Sequence, residues 1–278
     1  MSRTSAFVRQ PFFLDSPRGA RFAVATQPVG APIGALLFVP PFAEEMNKSR
    51  RTVALAAQTF AELGWVTLQI DLGGSGDSEG DFGEADWDGW QSDLSDGWNW
   101  LRERCDGVAI LWTLRAGSLL AADWLARNDE QPPLLLWQPV SNGSQHLTQF
   151  LRLKAASEML AATEAKGLTA RLRAELGADR IVEVAGYRIA PAIAAGLAAA
   201  TLRLRDGYRS PVALVEVVGG ERTEHSPGIA ALAEGLRAAR TRVVTEVVQG
   251  PSFWQTLEIE TPPTLIETSV RTIDQLRR

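Results

Sequence analysis

The sequence predicts a mostly parallel, doubly wound α/β sheet of about eight strands, flanked by helices and interrupted by one helical insertion. Three observations carry this. From residue 34 onward, apolar runs of strand length alternate with segments of helical periodicity, the pattern of parallel strands joined by crossover helices. Before that point, two short alternating segments flank the turn signal "DSPRG" and read as an antiparallel pair. Between residues 141 and 210 the alternation stops and only helical patterns remain. The expected division is therefore a core formed by 1–140 and 211–278, with 141–210 as a helical cap over one edge of the sheet.

Each element follows from its local pattern. "AFVRQPFFL" (6–14) and "ARFAVATQ" (20–27) form the opening pair. "GALLFVPP" (34–41) is continuously apolar, as a strand buried on both faces must be. "SRRTVALAAQTFAELG" (49–64) sets Val53, Ala56, Ala57 and Phe60 at helical spacing and stops at Gly64. "WVTLQIDL" (65–72) is the fourth strand, and a loop dense in Gly, Ser and Asp follows it. "WDGWQSDLSDGWNWLRER" (87–104) is helical, its tryptophan stripe reading as core packing. "GVAILW" (107–112), "AGSLLAADWLARN" (116–128) and "PPLLLWQP" (132–139) continue as strand, helix and strand. Inside the insertion, "HLTQFLRLKAASEMLAATEA", "TARLRAELG" and "IAPAIAAGLAAATLRL" are helical. "PVALVEVV" (211–218), "PGIAALAEGLRAAR" (227–240), "TRVVTEVV" (241–248) and "TLIETSVRTIDQLRR" (264–278) complete the alternation.

Composition narrows the class of function. With 278 residues, 45% hydrophobic and 22% charged, the chain can bury a substantial core. A net charge of -5 disfavours nucleic acid or an anionic membrane as partner. The single cysteine, Cys105, cannot form an intrachain disulfide and is expected to be a small buried residue. The N-terminal stretch lacks a signal peptide's apolar run, and no window approaches the ~20 apolar residues of a membrane helix. A cytoplasmic location is the expectation. No cofactor or metal is expected either. "GGSGDSEG" (73–80) lacks the glycine and lysine spacings of phosphate loops, and one cysteine with two distant histidines makes no typical zinc site.

The opening pair, the parallel core and an insertion after the sixth strand together resemble the α/β-hydrolase superfamily. In that superfamily the corner after the fifth strand reads small–x–nucleophile–x–small, because the nucleophile's backbone is strained and bulky neighbours would clash. Here Thr113-Leu114-Arg115-Ala116-Gly117 occupies the corner, with Arg115 where the nucleophile stands. A frame shifted to Ser118 would put Leu120 at a position that needs a small residue. More closely, the chain resembles the second of the two hydrolase-like proteins associated with the exosortase A system of exopolysaccharide-producing bacteria. The matching stretches are "PPFAEEMNKSRR" (40–51), "DLGGSGDSEGDF" (71–82), "WDGWQSD" (87–93), "LWTLRAG" (111–117) and "PSFWQTLEIE" (251–260). That resemblance implies the α/β-hydrolase fold and a setting with acyl-activating and carrier functions. The family is named for its superfamily, not for an established reaction.

The superfamily's acid follows the seventh strand and its histidine the eighth. After the seventh, "GGERTEHSPG" offers Glu221 or Glu224 for the acid's place. After the eighth, "QGPSFWQTLEIE" holds no histidine. The chain's two histidines are His146, at the start of the insertion, and His225, in the acid's own loop. Serine–histidine–acid catalysis in the usual arrangement is not expected.

An arginine, with a pKa above ~12, is neither nucleophile nor base. At a helix start its charge costs roughly 0.3–1 kcal/mol, so Arg115 needs an anionic partner. One alternative is internal: Glu44, Glu45, Asp71, Asp77 or Glu221. The other is a ligand carboxylate or phosphate, held by Arg115 with backbone N–H groups near Ala116. "FAEEMNK" (42–48) stands where the superfamily builds its oxyanion hole. Phe42 or Ala43 could offer a backbone N–H there. Glu44, Glu45, Asn47 and Lys48 crowd a short loop, either capping a helix or lining the pocket. Gly73, in the tight loop after the fourth strand, and Ser252, Phe253 and Trp254, after the eighth, are further lining candidates.

Three functions fit these residues. A pseudo-hydrolase would keep the fold and bind an acyl or anionic small molecule, free or carrier-bound. An unconventional acyl ester or thioester hydrolase, or an acyltransferase, would use Glu44, Glu45, Asp77 or His225 as base, with Arg115 binding an anionic group. A scaffold would dock a partner on the 141–210 helices. The first accounts for both absent triad members.

Overall fold

A computed structural model describes residues 7–160, 167–256 and 258–277. The strands are β1 (Phe7–Leu14), β2 (Arg21–Pro28), β3 (Gly34–Val39), β4 (Trp65–Ile70), β5 (Val108–Leu114), β6 (Leu134–Trp137), β7 (Val182–Val184), β8 (Tyr187–Ile189), β9 (Val212–Val218) and β10 (Val243–Gln249). Eight of them form one sheet in the order β1-β2-β4-β3-β5-β6-β9-β10. β1 and β2 pair antiparallel, β2 runs antiparallel to β4, and every later pairing is parallel. The helices are α1 (Glu44–Glu62), α2 (Trp87–Arg102), α3 (Gly117–Arg127), α4 (Gly143–Leu160), α5 (Leu168–Gly177), α6 (Pro191–Ala199), α7 (Pro227–Ala238) and α8 (Pro263–Leu276). A mostly parallel eight-stranded sheet, opened by an antiparallel pair and flanked by helices, is what the sequence predicts.

The continuous apolar runs are explained by burial on both faces. All six residues of β3 are buried, and successive side chains face opposite layers. Leu36 and Phe38 pack with Phe60, Trp112 and Trp137 on one side. Leu37 and Val39 pack with Leu68, Leu94 and Leu111 on the other. β3 enters beside Trp65 only because residue 34 is glycine: a Cβ there would lie 2.3 Å from the indole ring. Cys105 is buried, as expected. Among the described residues, no helix is long and apolar enough to cross a membrane.

Two expectations change. "FAEEMNK" is not a loop, because α1 begins at Glu44 and not at residue 49. Its first turn carries Glu44 and Glu45, which complement the positive helix start and stand in for a side-chain cap that Ala43 cannot supply. Residues 141–210 are also not wholly helical. "VEVAGYRI" forms the antiparallel β7–β8 hairpin, closed by Ala185 and Gly186 at φ 51° and 82°. Two positive φ values in a two-residue loop match the twist of the flanking strands. The helical stretch expected through residue 165 is seen as α4 to Leu160, and 161–165 lie outside the described residues.

Candidate functional site

The corner between β5 and α3 is built by its neighbours. Arg115 adopts φ 53°, a left-handed conformation costing a non-glycine residue about 1–2 kcal/mol. Hydrogen bonds hold it there: its N–H donates to Trp137 O at 3.0 Å, and its carbonyl accepts from Ser118 N–H at 3.1 Å and Val140 N–H at 3.3 Å. Gly117 is demanded by space, since a Cβ would lie 2.4 Å from the Val39 carbonyl oxygen. Ser118 is fully buried, with Oγ 2.7 Å from Arg115 O and 2.9 Å from Val140 O. It staples the start of α3 to the chain after β6, which removes it as a shifted nucleophile. The strained strand–turn–helix corner is thus retained, with a guanidinium at its tip.

Arg115 finds its anion inside the protein. Nε donates to Glu45 Oε1 at 3.1 Å, with the two side chains 15% and 9% exposed. The guanidinium carbon stands 5.4 Å from the centroid of the Trp254 ring. Glu45 reaches Arg115 because α1 starts directly after Ala43, itself at φ 52°. Burial pushes the Glu45 carboxyl up to about 7, although Arg115 opposes the shift. Burial also raises Glu44, against an opposing backbone hydrogen bond and the charge of Lys48.

Beside this pair lies a cavity of about 180 Å³. Phe42, Glu44, Glu45 and Lys48 line it from the start of α1, and Arg115 from the corner. His146, Gln149, Phe150 and Leu153 of α4 close it from the insertion, and Gln255 from the segment after β10. Phe42 meets His146 and Phe150 edge to face. Three residues of this lining carry a buried polar atom without a hydrogen-bond partner: Glu44 Oε2, Glu45 Oε2 and His146 Nδ1. So does Trp254, at Nε1, which contacts Arg115 from outside the lining. Burial, reinforced by the charge of Arg115, lowers His146 to about 3, so its imidazole is neutral at physiological pH. The site thus offers a guanidinium, an ammonium, two carboxyls of high proton affinity and an aromatic wall.

The other predicted residues fall in varied places. Lys48 Nζ donates to Gln255 O at 3.3 Å on the cavity rim. Asn47 is exposed and donates to Tyr187 Oη at 3.1 Å, tying α1 to the hairpin and not to the cavity. Ala116 is the buried N-cap of α3. Trp254 lies against Arg115, whereas Phe253 is fully buried against Trp137 and Ser252 is half-buried outside the lining. Asp71, Gly73 and Asp77 do not reach Arg115. Asp71 pairs with Arg50 at 2.8 Å, and Asp77 is exposed. Gly73 N–H donates to Asp93 at 2.7 Å, in a loop that lines a different cavity of about 160 Å³.

Glu221 and Glu224, in the loop after the seventh strand of the sheet, β9, are exposed and enter no ion pair among the described residues. The structure instead buries Glu216, within β9 itself. Its carboxylate accepts from Arg222 at 2.9 Å and Ser226 N–H at 2.9 Å, and stands 3.0 Å from His225 Nδ1. His225 is thereby occupied away from the cavity. Sequence reasoning missed Glu216, and it noted His146 at the start of the insertion without assigning it to the site. The lone acid in "VALVEVV" was a readable signal, because a charge in a two-sided apolar strand must have partners. For His146 the signal was its place just after the sixth strand's C-terminal end, the side where such folds bind ligands. The path of the insertion brings it to the cavity that Arg115 lines.

No family model and no curated protein sequence matches the chain. Solved structures do. A highly thermostable carboxyl esterase from Bacillus coagulans in complex with glycerol aligns at TM-score 0.64 and 15% identity, over 99% of this chain and 100% of that one. Est1E from Butyrivibrio proteoclasticus with ferulic acid bound aligns at 0.63 and 14%, over 95% and 98%. An alpha-beta serine hydrolase homologue from Coxiella burnetii aligns at 0.54 and 17%, over 95% and 97%. The fold of this chain is the α/β-hydrolase fold.

Proposed function

We propose that this protein is a non-catalytic member of the α/β-hydrolase fold, a pseudo-hydrolase whose cavity binds a small molecule with an anionic head and an apolar body. The observation that carries the reading is the Arg115–Glu45 ion pair at the tip of the corner. A guanidinium there cannot attack a carbonyl carbon, and no histidine follows β10 to activate a nucleophile. Arg115 and Lys48 supply positive charge, while Phe42, Phe150 and Leu153 supply an apolar wall. The resemblance to the exosortase A-associated family adds an acyl group, free or carrier-bound, as the natural ligand class. In the same reading residues 141–210 act as the cap, because α4 closes the cavity. The single buried cysteine suits a reducing compartment, and the cytoplasm is the location we propose.

The test is turnover of p-nitrophenyl esters and acyl thioesters of short and long chain by wild type, Arg115→Ala and Arg115→Ser, with fluorophosphonate labelling in parallel. The expected result is background turnover and no labelling for all three, since serine at 115 restores a hydroxyl but not the histidine. Wild-type turnover that disappears in Arg115→Ala would overturn the reading. It would favour a second one, in which Glu45, with a carboxyl near 7, acts as general base on water. Glu45→Gln would then be inactive as well.

A further inference from the structure

The pairing of Arg115 with Glu45 is incomplete on both sides. Only Nε of the guanidinium bonds to the carboxyl, which leaves the two Nη groups as an unused fork beside the cavity. On the carboxyl, Oε1 takes that bond while Oε2 is buried without a partner. A guanidinium fork is matched by a carboxylate, which accepts two parallel N–H bonds. A buried carboxyl oxygen without a donor is matched in one other way: it carries a proton and becomes a donor itself.

We propose that the cavity takes up a short-chain monocarboxylate together with one proton, the ligand pairing with the Nη edge of Arg115 while Glu45 becomes a neutral acid that hydrogen-bonds to it. This rests on the reading of the cavity as a binding site. The proton comes from solvent and no covalent bond changes. The charges around Glu45 require the coupling. Glu44 and Lys48 face it from its own helix, Arg115 from the corner, and His146 and Gln149 from α4. A ligand carboxylate would make a third negative charge against two positive ones, in a space where like-charged carboxylates share a proton. Of the titratable groups, His146 is held neutral and does not compete for the proton above about pH 4. Glu45 already holds its proton with an affinity near neutrality, so protonating it costs little. Phe42, Phe150 and Leu153 give the ligand's tail an apolar wall, and about 180 Å³ accommodates a short one.

The probe is hexanoate, titrated calorimetrically into the full chain between about pH 6 and pH 8.5, in buffers of different ionisation heat. The expected result is uptake approaching one proton per ligand at about pH 8, with Kd weakening about tenfold per pH unit above pH 7 and flattening below about pH 6. Glu45→Gln, with its fold checked by circular dichroism, is expected to bind with no proton uptake and a flat Kd. Glu44→Gln is expected to keep the pH slope, whatever its affinity. Hexanoate binding to wild type without proton uptake overturns the proposal and leaves the binding cavity standing. A slope that survives in Glu45→Gln, or vanishes only in Glu44→Gln, overturns it by placing the proton elsewhere. No hexanoate binding at about pH 6, with inorganic phosphate bound instead, overturns the ligand class. Whether the protein is a pseudo-hydrolase is judged separately, by ester turnover.

Discussion

Charged residues in this protein are buried in pairs, and the pairs show what one sequence can and cannot reveal about a site. That Arg115 needs an anion follows from its residue type and its place at a helix start. That the anion is Glu45 does not, because the sequence offers five carboxylates after strands whose ends are expected at the same sheet edge. Only the early start of α1, at Glu44, selects Glu45. The Arg21–Asp93 pair was not legible at all. The two are separated by 72 positions, yet Nε and Oδ1 meet at 2.6 Å with side chains 4% and 0% exposed. Asp93 also accepts the Gly73 N–H, so it fixes the loop after β4 as well as neutralising Arg21. Asp93→Ala is expected to cost about 3–5 kcal/mol by urea unfolding, since it strands a buried cation. The double replacement Arg21→Met with Asp93→Leu should recover most of that loss. A single-variant cost below about 1 kcal/mol would mean that Arg21 relaxes to solvent and that the pair does not organise this loop.

Elements with a strong period were legible, and those whose period is short were not. α2 places Trp87, Trp90, Leu94, Trp98 and Leu101 on one buried face, as its sequence says. The β7–β8 hairpin has three residues in each strand, too few to stand out among helical segments, although Ala185-Gly186 marked its turn. The end of β9 shows a third case, in which a strand and the following helix are joined by one carboxylate. Glu216 binds Arg222, His225 and the backbone at Ser226, whose own side chain caps α7. Burial pushes the Glu216 carboxyl up, but these hydrogen bonds and the Arg222 charge outweigh it and hold it below the usual range. A carboxyl depressed in the folded state stabilises the fold above its unfolded pKa, near ~4.3. That contribution is lost as pH falls through the lower, folded value. Unfolding free energy of wild type is therefore expected to fall between about pH 5 and pH 3 more steeply than that of Glu216→Gln, which should be the less stable protein at neutral pH. Parallel curves for the two would show that the β9–α7 junction does not depend on this ionisation.

The whole molecule was the most legible level of the fold and the least legible level of the site. The parallel sheet follows from the alternation of strands and helices, whereas the cavity draws on four separate stretches, at 42–48, 115, 146–153 and 255. No periodicity links those stretches; the packing of the insertion on the sheet does. That packing is not a loose overlay. Leu147, Phe150, Leu151, Ile193 and Leu197 belong to the same continuous cluster as Leu37, Trp87 and Leu94. α6 lies so close to α2 that a Cβ on Gly196 would stand 2.2 Å from Trp87. An insertion that shares its core with the sheet cannot unfold alone without exposing both faces, so one cooperative transition is expected. The chain permits a clean test, because none of its nine tryptophans lies between residues 141 and 210 while at least three helices do. Tryptophan fluorescence then reports chiefly the sheet side, with Trp87 also sensing α6, and far-ultraviolet circular dichroism reports both. The two urea curves should coincide in wild type and in Leu151→Ala, with the variant shifted by about 2–5 kcal/mol for a fully buried leucine. A dichroism transition at lower urea than the fluorescence transition would make residues 141–210 an independent unit. His146 would then leave Arg115 whenever that unit opened, and the cavity would exist only while it was closed.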